Sequence, residues 1–440
     1  MNRFVTGARY FFLFSFALIV LLSQVIDVHA AGSAGIEVGL DSARALGKGN
    51  AVVADPQDAS TMAYNPAGLT QLEKPQIATN FTTIVGLPSY TNTRGASEDG
   101  ATILAYIPAF FVSTPTPVDK LKVGFGVDSP FGLQDHYSST GSFKYTGFYN
   151  QIRTIYYNGS AAYQLNDWLS LGGGVSYVQT KLRQNSKFNT SAISAANGDP
   201  TGYADANSEL DADGDGVGWN LGVLLKPDSK WSLGFLYRSA VRSTVDGSYD
   251  VDNIQGAFVM QPIFGGSSFH TTVKTTMTLP DSAVIGAMYR FTDKLSVETD
   301  LGWTGWGKFD HFDFNYGTTN AVLSAGNPSQ HKFQDTFSVN IGTQYALNPN
   351  WSLLGGYAYF HHATLEQDYS NVFPDGDRHN VTVGLQYNIK NVTISLAYAA
   401  QFVADSNIDN TVGNINSVSI DGKYQNFYHV AVASVVYRFG

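Results

Sequence analysis

The sequence predicts an all-β transmembrane barrel of fourteen antiparallel strands with an N-terminal plug in its lumen. Three observations carry this reading. From about Ile77 onward apolar residues alternate with small or polar ones, short turns close one end of successive strands while long loops close the other, and charge is sparse. The chain is 43% hydrophobic and only 14% charged, where a soluble chain carries about 25% charged residues. Something other than water is therefore expected to cover part of the surface.

Residues 1–30 read as a secretory signal. Arg3 and Arg9 precede the apolar run FFLFSFALIVLL (Phe11 to Leu22), and Val28-His29-Ala30 supplies the cleavage site. The run is shorter than the roughly 20 residues a spanning helix needs. Residues 31–74 hold small residues and a mixed helical pattern without sustained period two, and read as the plug. Residues 75–440 read as the barrel with long extracellular loops. Cysteine is absent and the net charge is -10, which excludes thiol catalysis and thiolate metal sites and argues against nucleic acid as a partner.

In KNVTISLAYAAQF, Val392, Ile394, Leu396, Tyr398 and Phe402 share one face and Thr393, Ser395, Ala397, Ala399 and Gln401 the other. Lipid offers the backbone no hydrogen bonds, so strands cross it only as a closed sheet. The same pattern places strands at 76–86, 101–113, 120–128, 150–164, 168–184, 217–226, 231–245, 270–291, 294–306, 333–346, 350–361, 378–389, 391–403 and 424–439. The eighth requires Leu279 to Ser282 to be a kink, since Pro belongs at a bulge or bend. Short turns of the YQLNDW and YALNPNW kind join strands at one end, with Trp168, Trp231 and Trp351 after them as an expected interfacial girdle. Long segments near 129–149, 185–216, 246–270, 307–332, 362–377 and 404–422 are expected outside. The last strand, with Val435, Tyr437 and Phe439 on one face, is similar to a C-terminal barrel-assembly signal, although Gly440 follows the Phe.

Five segments in order carry a family resemblance: ARALGKGNAVVADPQDASTMAYNPAGL, VGFGVDSPFGL, GDGVGWNLGVL, TLPDSAVIGAMYRFTDKLSVETDLGWTGW and FPDGDRHNVTVGLQY. Together they resemble the FadL/TodX-type outer-membrane transporters of long-chain fatty acids and aromatic hydrocarbons. The resemblance implies that the plug is a hatch with its motif at Asn65, Pro66 and Ala67. Pro66 fixes its own φ and pushes Asn65 out of the helical region, so the motif should be a rigid turn. It further implies a kink in the third strand, at Gly124, Gly126 and Pro130, through which ligand leaves sideways into the outer leaflet. Gly within a strand often marks such a bulge; a small-residue lumen face is the plainer reading of the two glycines. Asp375, Asp377 and Arg378 would lie near hatch and kink, or form a local surface ion pair.

The loop 246–270 gathers Ile254, Phe258, Val259, Met260, Ile263, Phe264 and Phe269, which must pack as a lid or receive an apolar molecule. A carboxylate ligand would want a cation, and Lys181, Arg183 and Lys332 lie near positions where the family keeps basic ligands. With Phe258, Ile263 and Phe264 they form the expected ligand-binding set. Arg238 and Arg242 are expected on the lumen face of the seventh strand, and Glu298 and Asp300 on that of the ninth, where pairing with the hatch is the ordinary role. DADGDG at 211–216 lacks the Glu of a calcium loop, GKG at 47–49 lacks the rest of a phosphate loop, and adjacent His361 and His362 on a strand would face opposite ways. No cofactor, metal or catalytic residue is expected.

The resulting expectation is a monomeric passive transporter in the Gram-negative outer membrane, surrounded by lipid and lipopolysaccharide, for a hydrophobic small molecule. Long-chain fatty acid is favoured, with toluene-like aromatics or alkanes as the alternative. A barrel lipase would need a nucleophile beside His379, and a general porin would not need a plug.

Overall fold

The computed structural model describes residues 37, 41–309, 311–327, 329–410, 412 and 419–440; the expected signal lies outside them. The wall is a closed antiparallel barrel of 14 strands. They are β1 (Gln76–Asn92), β2 (Ile103–Pro115), β3 (Leu121–Asp128 and Gly132–His136), β4 (Tyr149–Asn166), β5 (Leu169–Phe188), β6 (Ala206–Leu225) and β7 (Trp231–Arg238 and Val241–Asp252). There follow β8 (Phe269–Leu279 and Ser282–Arg290), β9 (Leu295–Thr304), β10 (Thr336–Ala346), β11 (Trp351–Phe360), β12 (Arg378–Ile389), β13 (Val392–Val403) and β14 (Gly422–Arg438). A continuous ladder from Gln76↔Arg438 to Asn92↔Gly422 joins β1 to β14 and closes the sheet. Among the described residues no helix is long and apolar enough to cross a membrane.

Alternation is expressed as the sequence predicts. In β13, Ile394, Leu396 and Phe402 are exposed outward while Thr393, Ser395, Ala399 and Gln401 are buried inward. Trp168, Trp231 and Trp351 all sit exposed beside the short turns, with Trp231 against Tyr289 and Trp351 against Tyr387 at ring separations of 4.6 and 4.3 Å.

Two expectations change. The two ends of the 185–216 segment, 185–188 and 206–216, are strand, because β5 and β6 pair without interruption from Leu169↔Leu225 to Phe188↔Ala206. The alternation persists through β6, with Ala206, Ser208, Leu210 and Ala212 buried inward and Asn207, Glu209 and Asp213 exposed outward, so charged residues on the outer side do not end the strand. The second change concerns strand faces. Arg238 ends the first part of β7 facing inward, but the break at Ser239-Ala240 shifts the phase, so Val241, Ser243 and Val245 are buried and Arg242 points outward. A one-residue slip exchanges the two faces of a strand. β8 breaks at Pro280-Asp281 as the kink reading required, remains one strand of the wall, and exchanges its faces likewise.

Inside the barrel the described N-terminal residues form α1 (Ala43–Gly47), α2 (Thr61–Tyr64) and a 3-10 turn (Pro66–Gln71). Nearly every side chain from Asp41 to Ala54 is buried. These elements are too short to be stable alone, so the lumen wall holds them.

Candidate functional site

The lumen wall grips the hatch through polar side chains on several strands. Lys48 is fully buried, with its Nζ 3.0 Å from Asp55 and 2.9 Å from Glu298 of β9. Arg44 also pairs with Asp55. Glu298 accepts the Ala54 N–H at 2.7 Å, and Asp300 accepts those of Val52 and Val53 at 3.0 and 3.2 Å. Thr382 of β12 accepts the Gly49 N–H and donates to the Gly47 carbonyl. Successive hatch amides that have no helical partner thus find wall acceptors.

Asn65, Pro66 and Ala67 form a tight junction. Asn65 is extended (φ -166°, ψ 101°), its Oδ1 accepts the Ala67 N–H, and its Nδ2 donates to Val53 O at 2.8 Å and to Val223 O of β6 at 2.9 Å. A methyl group on Gly222 would overlap Asn65 Oδ1, and one on Gly172 would overlap the Ala67 backbone. The small lumen residues therefore permit close approach of the hatch.

β3 is interrupted between Asp128 and Gly132. β2 pairs with β3 from Phe110↔Val127 to Pro115↔Lys122, whereas Gly132–His136 pairs with β4. Beyond Phe110, β2 continues on β1 as far as Ile103↔Gly86, so among the described residues its other edge has no ladder there. The two strands meet again where Ala101 N–H reaches the His136 carbonyl at 2.7 Å. Pro130 supplies no donor at the break, and Thr154 of β4 holds the Phe131 carbonyl by its hydroxyl at 2.7 Å. The hatch enters the same gap, with Glu37 bridged to Phe131. Gly124 faces the hatch: a Cβ there would lie 2.8 Å from Met62 Sδ.

Above the hatch lies an apolar cluster that includes Phe131, Trp306, Phe309, Phe312, Phe333 and Phe373. Phe309 is 5.0 Å from Phe333 and 5.3 Å from Phe373 between ring centres. Tyr156 and Trp306 flank Phe131, at 6.2 and 6.0 Å. Both are buried, and among the described residues neither Tyr156 Oη nor Trp306 Nε1 has a hydrogen-bond partner. His331 lies against Phe373 at 4.8 Å, and burial there lowers its pKa to about 4, so the ring stays neutral. Tyr156 also lines a small cavity with Met62 of the hatch, Asp128 and Arg238. Arg238 donates to the Ala63 carbonyl at 2.9 Å.

The sequence reading missed this cluster because 307–332 counted as a polar loop. The signal was the alternating KFDHFDFNY, which carries Phe309, Phe312 and Phe314.

The other expected residues divide. Lys181 and Arg183 point outward and pair with Asp211 at 3.0 and 2.7 Å, because in β5 the lumen face carries Ser176, Val178 and Thr180. Lys332 is exposed, 3.9 Å from Asp368. Lys181 and Arg183 thus stand at the outer end of β5 and Lys332 before β10, each engaged by a carboxylate. Phe264 is buried with Ile254, Met260 and Val251, Ile263 packs on that group, and Phe258 stands 88% exposed. The loop packs on itself as a cap.

Asp375 and Arg378 form a buried pair at 2.9 Å, while Asp377 turns to the other side and meets Tyr359, His361 and His362. Burial opposes ionisation of Asp377, but hydrogen bonds from His362 and Tyr359 outweigh it and bring the carboxyl down to about 2. His379 faces outward against Tyr357, which leaves the lipase reading without a nucleophile.

The profile of the family described as Outer membrane protein transport protein (OMPP1/FadL/TodX) matches residues 26–439. A long-chain fatty acid transport protein of Escherichia coli O6:H1 is 26% identical, over 87% of this chain and 90% of its own length. Among solved structures, a Pseudomonas aeruginosa FadL homologue superposes with a TM-score of 0.79 at 21% identity, covering 92% of this chain and all of its own. The Ralstonia pickettii toluene transporter TbuX gives 0.68 at 17% identity, covering 91% and 98%.

Proposed function

The chain belongs to the OMPP1/FadL/TodX family of outer membrane transport proteins, and we propose that it takes up long-chain fatty acids, captured above the hatch and released sideways through the break in β3. Members of this family are transport channels rather than enzymes, and the protein is an outer-membrane barrel that carries hydrophobic molecules. One observation carries the finer reading: the aromatic cluster reaches the β3 break through Phe131, where two buried polar groups stand beside it. Burying a polar hydrogen-bonding group without a partner costs about 1–3 kcal/mol. Trp306 Nε1–H and the Tyr156 hydroxyl both donate to a carboxylate, so a fatty acid would offset that cost with its head group while its chain fills the cluster. These groups replace Lys181, Arg183 and Lys332 as the carboxylate readers. The similarity to the E. coli fatty acid transport protein supports the same class.

A second reading, uptake of uncharged aromatics, is favoured by the rings that build the cluster, where Phe309 lies 5.0 Å from Phe333 and 5.3 Å from Phe373 between ring centres. Binding of radiolabelled oleate and toluene to the detergent-folded barrel separates them. Trp306→Phe and Tyr156→Phe should each weaken oleate binding about 10–100-fold, as expected for a hydrogen bond to a charged group at ~1.5–3 kcal/mol, and leave toluene unchanged. Toluene binding with no measurable oleate binding would favour the second reading. Lateral release is tested by deleting Ser129 and Pro130, which keeps the inward phase of Asp128 and Gly132 while straightening β3 through the break: uptake that continues unchanged would refute it.

A further inference from the structure

His361 and His362 follow β11, and Asp377 immediately precedes β12. Their strand-bound neighbours alternate, but the strand ends at Phe360, and both rings turn to the same carboxylate. His361 Nδ1 lies 3.0 Å and His362 Nδ1 2.6 Å from Asp377 Oδ1, and the three potential donor atoms lie within 4.8 Å of one another. An ion held at about 2.0–2.2 Å by imidazole nitrogen and carboxylate oxygen needs donor atoms roughly 3–3.5 Å apart. The two histidine–carboxylate distances already lie close to that spacing.

We propose that His361, His362 and Asp377 form a site for a late first-row divalent cation of the Zn2+ type at the loop end of β11 and β12. The chemistry of the set selects the metal. Two imidazoles and one carboxylate suit Zn2+, Cu2+ or Ni2+, whereas Mg2+ and Ca2+ call for all-oxygen shells. The supporting groups are also in place. Tyr359 Oη donates to Asp377 Oδ2 at 2.8 Å, which leaves Oδ1 facing the histidines, and the Gln334 side-chain amide lies 3.4 Å from His361 Nε2. Such outer partners orient the ligands of metal sites. The His361, His362 and Asp377 side chains are 26%, 34% and 30% exposed, so an ion can enter from solvent and water can complete its shell. Bound metal would tie together the two ends of the 361–377 connection, which carries Phe373 into the aromatic cluster.

The test is calorimetric titration of the untagged, full-length, detergent-folded protein with Zn2+. One ion per chain is expected, with binding weakened at least tenfold in His362→Ala and in Asp377→Asn and unchanged in His379→Ala, whose ring instead meets Tyr357 Oη. Heat-modifiable migration on gels verifies folding of each variant, and His361→Gln with His362→Gln substitutes for any that fails. Bound Co2+ should show the intense visible absorption of a four-coordinate N/O site. No saturable binding by the unaltered protein, or binding that survives in the site variants, overturns the proposal.

Discussion

Replacing Glu298 by Ala should open the hatch without unfolding the barrel. Glu298 and Lys48 are both fully buried and 2.9 Å apart, and the other carboxylate oxygen accepts the Ala54 N–H at 2.7 Å. Removing one partner of a buried ion pair costs about 3–5 kcal/mol, because the remaining charge is left uncompensated. Here Lys48 keeps Asp55 at 3.0 Å, which places the expected cost at the low end, about 3 kcal/mol even with the lost Ala54 acceptor. At 1.4 kcal/mol per decade, that increases the open population roughly a hundredfold. Hydrogen exchange on the detergent-folded protein reads this directly. The amides of Lys48 to Ala54 should exchange about two orders of magnitude faster, while the β1–β14 ladder keeps its protection. Glu298→Gln, which retains an acceptor for Ala54, should fall between the two. Exchange at Ala54 that stays at the original rate, or that rises equally along the β1–β14 ladder, would refute the reasoning.

Gly222→Ala should loosen the same hatch from the opposite wall, because its methyl would overlap Asn65 Oδ1; overpacking of this kind costs about 1–3 kcal/mol, read as faster exchange at Ala67. Phe309→Ala and Phe373→Ala should weaken binding of both oleate and toluene, whereas Arg183→Ala, whose side chain pairs with Asp211 on the outer face, should change neither. The cluster should also loosen in acid. His331 titrates near 6.5 when unfolded and about 4 when folded, so the unfolded form binds more protons between those values and stability falls as pH drops through that window. Trp306 fluorescence should report the loss, and His331→Leu should remove its pH dependence; an identical pH profile in that variant would assign the transition to another group.

The strand reading succeeded because its cause is local. Side chains on a strand alternate with period two whatever lies beyond them, and turn residues announce themselves by conformational preference. Val392 to Phe402 could be sorted into faces, Pro280 could be placed at a kink inside a single strand, and Trp168, Trp231 and Trp351 could be assigned to the turn ends, all from the sequence. Glu298 and Asp300 could be given a lumen face for the same reason.

What those faces meet was decided only by closure of the barrel. Lys48 and Glu298 are 250 positions apart and touch because the hatch threads the ring. Arg242 left the lumen because a two-residue break reset the alternation, and a periodic pattern carries no record of phase across a break. Phe309 and Phe373 lie in separate polar-looking segments and Phe333 at the start of an expected strand, and only the folded loops stack their rings over the hatch. His361 and His362 share one carboxylate because the strand stops at Phe360, just before the alternation would have driven them apart. Sequence thus determined the wall, whose rules act between neighbours. Tertiary structure decided the contents, since they depend on which distant residues a closed ring brings within a few ångströms.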